Sequence, residues 1–525
     1  MASTVSNIGG WMQDTAGTWL MTVLTPSPLL IALMQTAASL PVVLLGLVAG
    51  ATADIFDRRR LLLFWQAWML TAVAFLSLLT FANIISPWVL LSLTFLLSIG
   101  TAMNSPAWQA IVPELVPRDE LPEAVALNSA GFNLARALGP ALGGITVAAF
   151  AHADTGAAWT FLLNSLSFVG VIYVLYQWKR RPLFKSALPA ERIYGSMRSG
   201  FRYIQYAPLL KAALARAFIF TIFVSAVWSL LAVVAARDLH QGALGYGILN
   251  GSMGLGAVAG ATSLPHVRRR LSADAIIAVS SGVFIATLLV LAYVHYALAV
   301  ISMLLLAGFC WTSTMSTLNL AIQLSSPGWV QARALGIYQM VFSGGMALGS
   351  VVWGVIAEHI STPLSLAIAA AGLLVTFPLS QRLHVLRGEL PDFTPTVIPT
   401  RIPQTVVEPE MHEGPVRILI EYCVSTGDYN AFVHAIHRLR DIRMRDGAMR
   451  WGVFQDINDP TRITETFIME SWIDYLRQRE RFTSADRAVR DQVMGFHCAD
   501  SPVRVSYSIY AKERTNGSSN QSEGT

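Results

Sequence analysis

Apolar residues fall along the chain in twelve stretches of about twenty residues, separated by short polar segments. A helix rises about 1.5 Å per residue, so a stretch of this length crosses roughly 30 Å of hydrocarbon while satisfying its own backbone. The pattern predicts an all-α membrane protein with twelve transmembrane helices. We place them at about 5–24, 28–52, 61–82, 87–110, 124–151, 157–178, 212–236, 243–265, 273–294, 296–320, 331–356 and 363–384.

One short segment occurs twice. Residues 49–60 read AGATADIFDRRR and residues 259–270 read AGATSLPHVRRR, an offset of 210 positions. Each copy lies between two apolar stretches, as expected for a duplicated six-helix unit. We therefore predict an N-terminal half at 1–178 and a C-terminal half at 212–384, joined by a basic cytoplasmic loop at 179–211.

The chain changes character after residue 384. Residues 385–411 contain five prolines, which favours an extended linker. Strand and helix patterns then follow in the order β-α-β-β-α-β over residues 412–512, which predicts an α+β ferredoxin-like domain. The last residues, 513–525, are polar, and we predict that they are disordered.

Lysine and arginine mark alternate loops. The loops of one set, here called the Arg-rich end, contain Arg58–Arg60, Arg118, the basic residues of 179–211, Arg268–Arg270, Arg333 and Arg382. The other set, the Arg-poor end, consists of the loops near residues 26–28, 83–87, 151–157, 237–242, 294–296 and 358–363, and offers only Arg237. Basic loops stay on the cytoplasmic side, so we expect a multi-pass inner or plasma membrane protein with both termini in the cytoplasm.

Composition supports a membrane partner. The chain is 54% hydrophobic and 13% charged, with a formal net charge of +5. The basic residues border helix ends, where anionic lipid headgroups are nearer than nucleic acid. Its three cysteines lack the spacing of a metal site. We predict the lipid bilayer and a small-molecule substrate as partners, with no nucleic acid, no metal and no cofactor.

The repeated segment contains a candidate cytoplasmic gate. It comprises Gly50, Asp54, Arg58, Arg59 and Arg60. A carboxylate at Asp54 can pair with an arginine or with a helix N-terminus of the other half, and so hold the cytoplasmic side closed. The second copy keeps the arginines but has Leu264 in place of the acid. The alternative is that the segment only sets topology.

Two further features fall inside predicted helices. Residues 139–144 read GPALGG, where Pro140 permits a kink and Gly139, Gly143 and Gly144 permit close helix packing. Asp14 and Arg136 are charges that we expect to be buried, each facing a cavity or a partner. Burial favours the neutral form of a carboxyl group, so Asp14 is a candidate for proton or substrate handling. The alternative is a structural pairing with a neighbouring amide. For Arg136 we expect an anionic substrate or Asp14 as the partner.

These motifs resemble the major facilitator superfamily over residues 5–384. Gly50, Asp54 and Arg58–Arg60 are similar to its loop signature, and the GPALGG segment is similar to the antiporter motif of drug/proton exporters. The fourth predicted helix lacks the arginine that such antiporters carry. The stretches SNIGGWMQDTAGTWL, VPELVPRDELPEAVALNSAGFNLARALGPALGG and RALGIYQMVFSGGMALGSVVWG look like the enterobactin-exporter branch, the transmembrane secretion effectors. The resemblance implies proton-coupled export of siderophores or other amphipathic molecules.

The C-terminal domain leaves two other hypotheses. It could make the protein a membrane-anchored enzyme, because dimeric monooxygenases use the same fold. His434 and His437 would then be ligands, but helical spacing turns both away from the face that contains Phe432. The other hypothesis, which we prefer, is a regulatory module beneath a transporter that forms a homodimer through its sheet.

Overall fold

The computed structural model describes residues 2–115, 120–178, 193–385, 392–394, 396, 409–498 and 502–511. A long α-helix lies at each of the twelve predicted positions. The helices before the C-terminal domain are α1 (Ala2–Leu24), α2 (Pro28–Ile55), α3 (Arg58–Phe81), α4 (Pro87–Leu115), α5 (Leu121–Ala148), α6 (Ala153–Gln177), α7 (Ile193–Gln205), α8 (Pro208–Val233, extended by a π-helical turn Val234–Asp238), α9 (Ala243–Arg270), α10 (Ala273–Tyr293), α11 (Ala297–Leu324), α12 (Gly328–His359) and α13 (Thr362–Arg382).

Nine helices of the described chain are long and apolar enough to cross a membrane, and α1, α5 and α9 fall outside that set. These three pack against one another, with α5 against both α1 and α9. A helix that faces protein instead of lipid needs less apolar surface, which accounts for their more polar composition. The protein is therefore a mostly helical, multi-pass membrane protein.

Local sequence sets the helix ends. Ser27, Asp57, Ser272 and Ser361 each accept a hydrogen bond from a backbone N–H in the first turn of the following helix. Such caps satisfy donors that have no partner inside the helix. Pro28 stands at the first position of α2, where its missing N–H costs nothing.

Compact packing divides the chain into two units. The first comprises Met1–Ile193, Leu209–Ser325 and Gln331–Gly388, and contains the long helices. The second comprises Tyr194–Pro208, Ser326–Val330 and Glu389–Thr525. Within the stretch predicted as a basic loop, 179–211, the described residues form α7 and the start of α8. Apolar residues recur at helical spacing within α7 and give it an apolar face. The basic residues around them obscure this pattern in the sequence.

The second unit contains a four-stranded antiparallel sheet in the order β2-β3-β1-β4. Its elements are β1 (Val416–Cys423), α14 (Tyr429–Asp446), β2 (Arg450–Gln455), β3 (Arg462–Met469), α15 (Trp472–Glu480), α16 (Ser484–Met494) and β4 (Arg504–Ile509). Alternate residues of β1 and β3 pack with Phe432 of α14 to form its core. His434 and His437 of α14 are both exposed, and the ring centre of His437 lies 5.4 Å from that of Trp451 on β2. The predicted tail at 513–525 and most of the linker at 385–411 lie outside the described residues.

Side chains tie α7 and the start of α12 to the sheet domain within this unit. Arg198 pairs with Glu470 at 2.7 Å, and Arg202 donates to the carbonyl of Gly447. The guanidinium of Arg481 lies 4.3 Å from the ring centre of Trp329. The C-terminal domain therefore shares one packed unit with two segments that continue directly into α8 and α12.

Candidate functional site

The two halves meet through the middle and the Arg-poor end of the bundle. On α2, the contacts with α12 that the described residues make run from Ser27 to Gly46. Ser27 donates to Glu358 at 2.9 Å, Thr36 donates to the carbonyl of Ala347 at 3.1 Å, and a Cβ on Gly46 would lie 3.4 Å from Met340. One turn further, at Gly50, a Cβ would meet nothing within 4 Å. Around Gly50, near the Arg-rich end, the described residues therefore leave space beside α2.

The two halves also meet at a second seam, between α5 and α9. The GPALGG segment of α5 lies in it. A Cβ on Gly143 would lie 2.6 Å from the carbonyl oxygen of Met12 on α1. On the other side, a Cβ on Gly144 would lie 2.7 Å from the carbonyl oxygen of Ala243 and 2.9 Å from the Cα of Gly247, both on α9. Only glycine permits backbones to approach this closely. The segment therefore packs α5 against its own half and against the other half at once.

Gly345 and Gly349 of α12 each pack against a helix of their own half, and among the described contacts neither meets the other half. A Cβ on Gly345 would clash with Thr221 of α8, and one on Gly349 would clash with Ser225 and the carbonyl of Ile222. In each half, then, a glycine pair packs its helix against the first long helix of that half. The α5 segment differs from the α12 segment in having Gly144, which contacts α9 of the other half.

The structure places Asp14 in the middle of α1, between residues that pack against neighbouring helices. Asp14 is exposed, whereas its neighbours Gln13 and Thr15 are buried. Gln13 accepts a hydrogen bond from Asn164 of α6, and Thr15 accepts one from Asn250 of α9 at 3.4 Å. Successive helical side chains are about 100° apart, so Asp14 projects between these two packed directions into open space.

Arg136 of α5 lies close to α1. Arg136 is half-buried, with its guanidinium carbon 5.8 Å from the ring centre of Trp11. Within the described residues, no ion pair joins Arg136 to Asp14. Its side chain instead lies over an aromatic face, an arrangement that stabilises a cation without neutralising it. The charge of Arg136 is therefore not compensated by Asp14.

Each half contains a polar cavity in its Arg-rich part. The N-half cavity, of about 420 Å³, lies among α1, α3, α4, α5 and α6, and its lining includes Asn7, Asn104, Asn128 and Asn133. The C-half cavity, of about 510 Å³, is lined by α9, α11 and α12, and its polar residues include Arg268, Asn319 and Gln323. Both volumes are in the range of small-molecule sites, about 300–1,000 Å³.

The candidate gate residues are only partly described. Asp54 lies in the last turn of α2, and its side chain lies outside the described residues. Arg59 donates to the carbonyl of Leu175 at 2.9 Å and to that of Tyr176, at the end of α6 in the same half. In the first turn of α3, the backbone N–H of Arg60 donates to the capping carboxylate of Asp57 at 3.0 Å. Arg59 thus fixes the loop to its own half.

One ion-paired cluster was missed by the sequence analysis. Arg216 of α8 is buried and donates to Asp274 at the start of α10 and to the carbonyl of Leu383. Asp274 also accepts from the backbone N–H of Val385 at 3.1 Å. A buried guanidinium and a half-buried carboxylate thereby join α8, α10 and the end of α13. The feature of the sequence that could have indicated this cluster is Arg216, a charged residue within the apolar stretch that begins at residue 208.

A bundle of long apolar helices in two halves, with a polar cavity in each half and close glycine seams between them, defines a membrane transporter of the major facilitator type. Residues 1–516 match the model of the transmembrane secretion effector family. The chain belongs to that family.

Individual relatives agree with this assignment. The chain is 28% identical over 241 residues to the uncharacterized MFS-type transporter YfiS of Bacillus subtilis, covering 45% of this chain and only 55% of that protein. It is 25% identical over 357 residues to the enterobactin exporter EntS of Salmonella typhi, covering 67% of this chain and 82% of the relative. A bacterial homologue of the human lysosomal transporter Spinster shares the fold, with a TM-score of 0.58 at 13% identity over 73% of this chain and 96% of that one. Family and neighbours are transporters, so the enzyme hypothesis is set aside.

Proposed function

We propose that the protein is a proton-coupled exporter of small amphipathic molecules, of the siderophore or drug class, that works by alternating access. Similarity to a protein named as an enterobactin exporter supports this direction and substrate class. The two polar cavities supply space and hydrogen-bonding groups for such a molecule. In alternating access the halves rock about a central site, and the seams at the two ends open in turn.

Orientation follows from the basic loops. If the Arg-rich end is cytoplasmic, as its arginines favour, the seams along α2 and α5 close the external side. The cavities then belong to the cytoplasmic side, where an exporter takes up its substrate. We propose that this is the loading state and that the loop with Gly50, Asp54 and Arg58–Arg60 closes in the opposite state. Arg59 already holds that loop to α6, so the loop would move with its half.

The observation that carries the coupling proposal is the position of Asp14. It is a carboxylate in the middle of a long helix, exposed to open space and not paired with Arg136. A carboxyl group that reaches solvent from within a bundle can exchange a proton, whereas one held in a salt bridge loses that freedom. We propose that Asp14 carries the coupling proton and that Arg136 attracts an anionic group of the substrate.

Efflux from inside-out vesicles with an imposed pH gradient tests this proposal. Asp14→Asn should abolish pH-driven transport and preserve substrate exchange, because the amide resembles the protonated acid. Asp154→Asn, a carboxylate at the Arg-poor end, is the matched control and should transport normally. Arg136→Ala should lose binding and transport together if it holds an anion, but should change only the pH profile if it acts on Asp14. A normal pH profile in Asp14→Asn would remove that residue from the mechanism.

We further propose that the C-terminal domain has a ferredoxin-like fold and forms a homodimer through the open face of its sheet. The element order and the strand order β2-β3-β1-β4 support the fold. On the face opposite α14, Phe454 is 63% exposed, and the partly exposed Leu419 and Ile468 lie on the same face of the sheet. Full-length protein should become monomeric in light-scattering measurements on Phe454→Glu, and His434→Glu, at an exposed position of α14 outside the sheet, provides a control for the added charge.

A further inference from the structure

A separate cavity lies inside the second unit. It has a volume of about 260 Å³ and lies between the inner face of the sheet and helices α14, α15 and α16. Ile420, Phe467 and Val505 provide an apolar wall on the sheet side. This volume is just below the usual range for drug-sized ligands, which begins at about 300 Å³. The cavity therefore suits a compact, flat molecule with an apolar body.

The helix side of this cavity is cationic. Arg443 of α14, Arg479 of α15 and Arg490 of α16 all line it. The buried carboxylate of Glu465 accepts from Nε of Arg443 at 3.1 Å. Burial, followed by the charge of Arg443, lowers the pKa of Arg490. The arginines repel one another, and an anion between them would relieve that repulsion.

Phenolic hydroxyl groups complete the lining. Tyr422 donates to Glu465 at 3.1 Å, which orients the acid that holds Arg443. Tyr475 donates to the hydroxyl of Tyr507 at 3.0 Å, and Arg479 donates to Tyr475 at 3.4 Å. The two hydroxyl groups have two hydrogens and use one in their mutual bond, so the pair can donate the other to an oxygen in the cavity. The lining thus offers charged and neutral donors around an apolar slot.

We propose that this cavity is a binding site for a small aromatic molecule with an anionic oxygen group, such as an aromatic carboxylate. The ring would contact the apolar sheet wall, and the anionic group would face the arginines of α15 and α16. Charge-assisted hydrogen bonds from guanidinium to carboxylate are among the stronger polar contacts in proteins. The site lies outside the membrane helices and does not depend on the transport mechanism proposed above. It would make the C-terminal unit a small-molecule receptor within a transporter.

Equilibrium dialysis of radiolabelled salicylate against the purified full-length protein tests the proposal. We expect saturable binding at one site per chain and weaker binding of the neutral analogue salicyl alcohol. Arg490→Gln and Arg479→Gln should each raise the Kd at least tenfold, equivalent to about 1.4 kcal/mol. Arg450→Gln is the matched control, because this arginine is exposed on β2 and does not line the cavity. Arg490→Lys keeps the charge and should recover part of the affinity.

Other outcomes would overturn the assignment. Salicylate that fails to bind saturably, or binds no better than salicyl alcohol, contradicts an anion site. Unchanged affinity in both glutamine variants contradicts this location. Loss of binding in Arg136→Gln, with the cavity variants unaffected, would place the salicylate in the membrane helices instead. Val505→Trp fills the apolar slot and should block the acid and the alcohol alike, and unchanged binding of salicylate in this variant would also exclude the cavity.

Discussion

Replacing Gly144 with alanine should open the seam between α5 and α9. The new Cβ would lie 2.7 Å from the Ala243 carbonyl oxygen and 2.9 Å from the Gly247 Cα. Both are backbone atoms, which cannot rotate away, so the helices must separate. Overpacking of this kind costs about 1–3 kcal/mol. Alanine also improves helix propensity by about 1 kcal/mol, but this gain applies to both states of the transporter. A cost of about 2 kcal/mol would reduce the ratio of closed to open seams about thirtyfold.

Thiol labelling can measure this shift. The native cysteines Cys310, Cys423 and Cys498 are free and would first be replaced. A single cysteine at Thr36, whose hydroxyl bonds to Ala347 across the α2–α12 seam, then reports on access from the Arg-poor end. A membrane-impermeant maleimide should label this cysteine at least tenfold faster in Gly144→Ala. Gly170→Ala on α6 is the control, because its Cβ would meet nothing within 4 Å.

Equal labelling of Gly144→Ala and Gly170→Ala, with equal transport rates, would refute the reasoning. The seam would then be static packing that tolerates a methyl group, and rocking of the halves would have to occur elsewhere. Faster labelling with unchanged thermal stability would identify a shift between two folded states. Faster labelling with a large loss of stability would instead indicate general loosening of the bundle.

Three further predictions concern other parts of the chain. Asp54→Asn should slow transport strongly without affecting membrane insertion. Leu264→Ile should have little effect, because only the first copy of the repeat has the acid. Equal transport by both variants in vesicles would mean that the loop only sets topology. Arg445→Met should destabilise the second unit by about 3–5 kcal/mol, since it leaves the buried carboxylates of Asp446 and Asp486 unpaired; an unchanged melting temperature in calorimetry would contradict this. A reporter inserted beside Asp154 should behave as external and one fused to the C-terminus as cytoplasmic, and the reverse pattern would invalidate the assignment of the loops.

The sequence alone was sufficient for features that depend on local pattern. A segment that crosses lipid must be long, apolar and helical, so composition predicted where the long helices lie to within a few residues. The position of the sheet domain followed from period-two and helical spacing, and its first strand begins at Val416, inside the predicted range 412–512. The duplicated segment was visible as repeated letters. These properties involve residues that are close in the chain, and elementary helix and strand geometry governs them.

Tertiary structure decided which distant residues meet. Asp14 and Arg136 looked like partners because both are charges within apolar segments, but the rotation of α1 and α5 places them apart. The packing of α5 also turns Gly144 toward α9 of the other half. Arg216 of α8 forms an ion pair with Asp274 of α10, and no periodic pattern in the sequence indicates this pair. Contacts of this kind depend on how packed helices cross and rotate, and helix packing permits several such arrangements for the same apolar pattern.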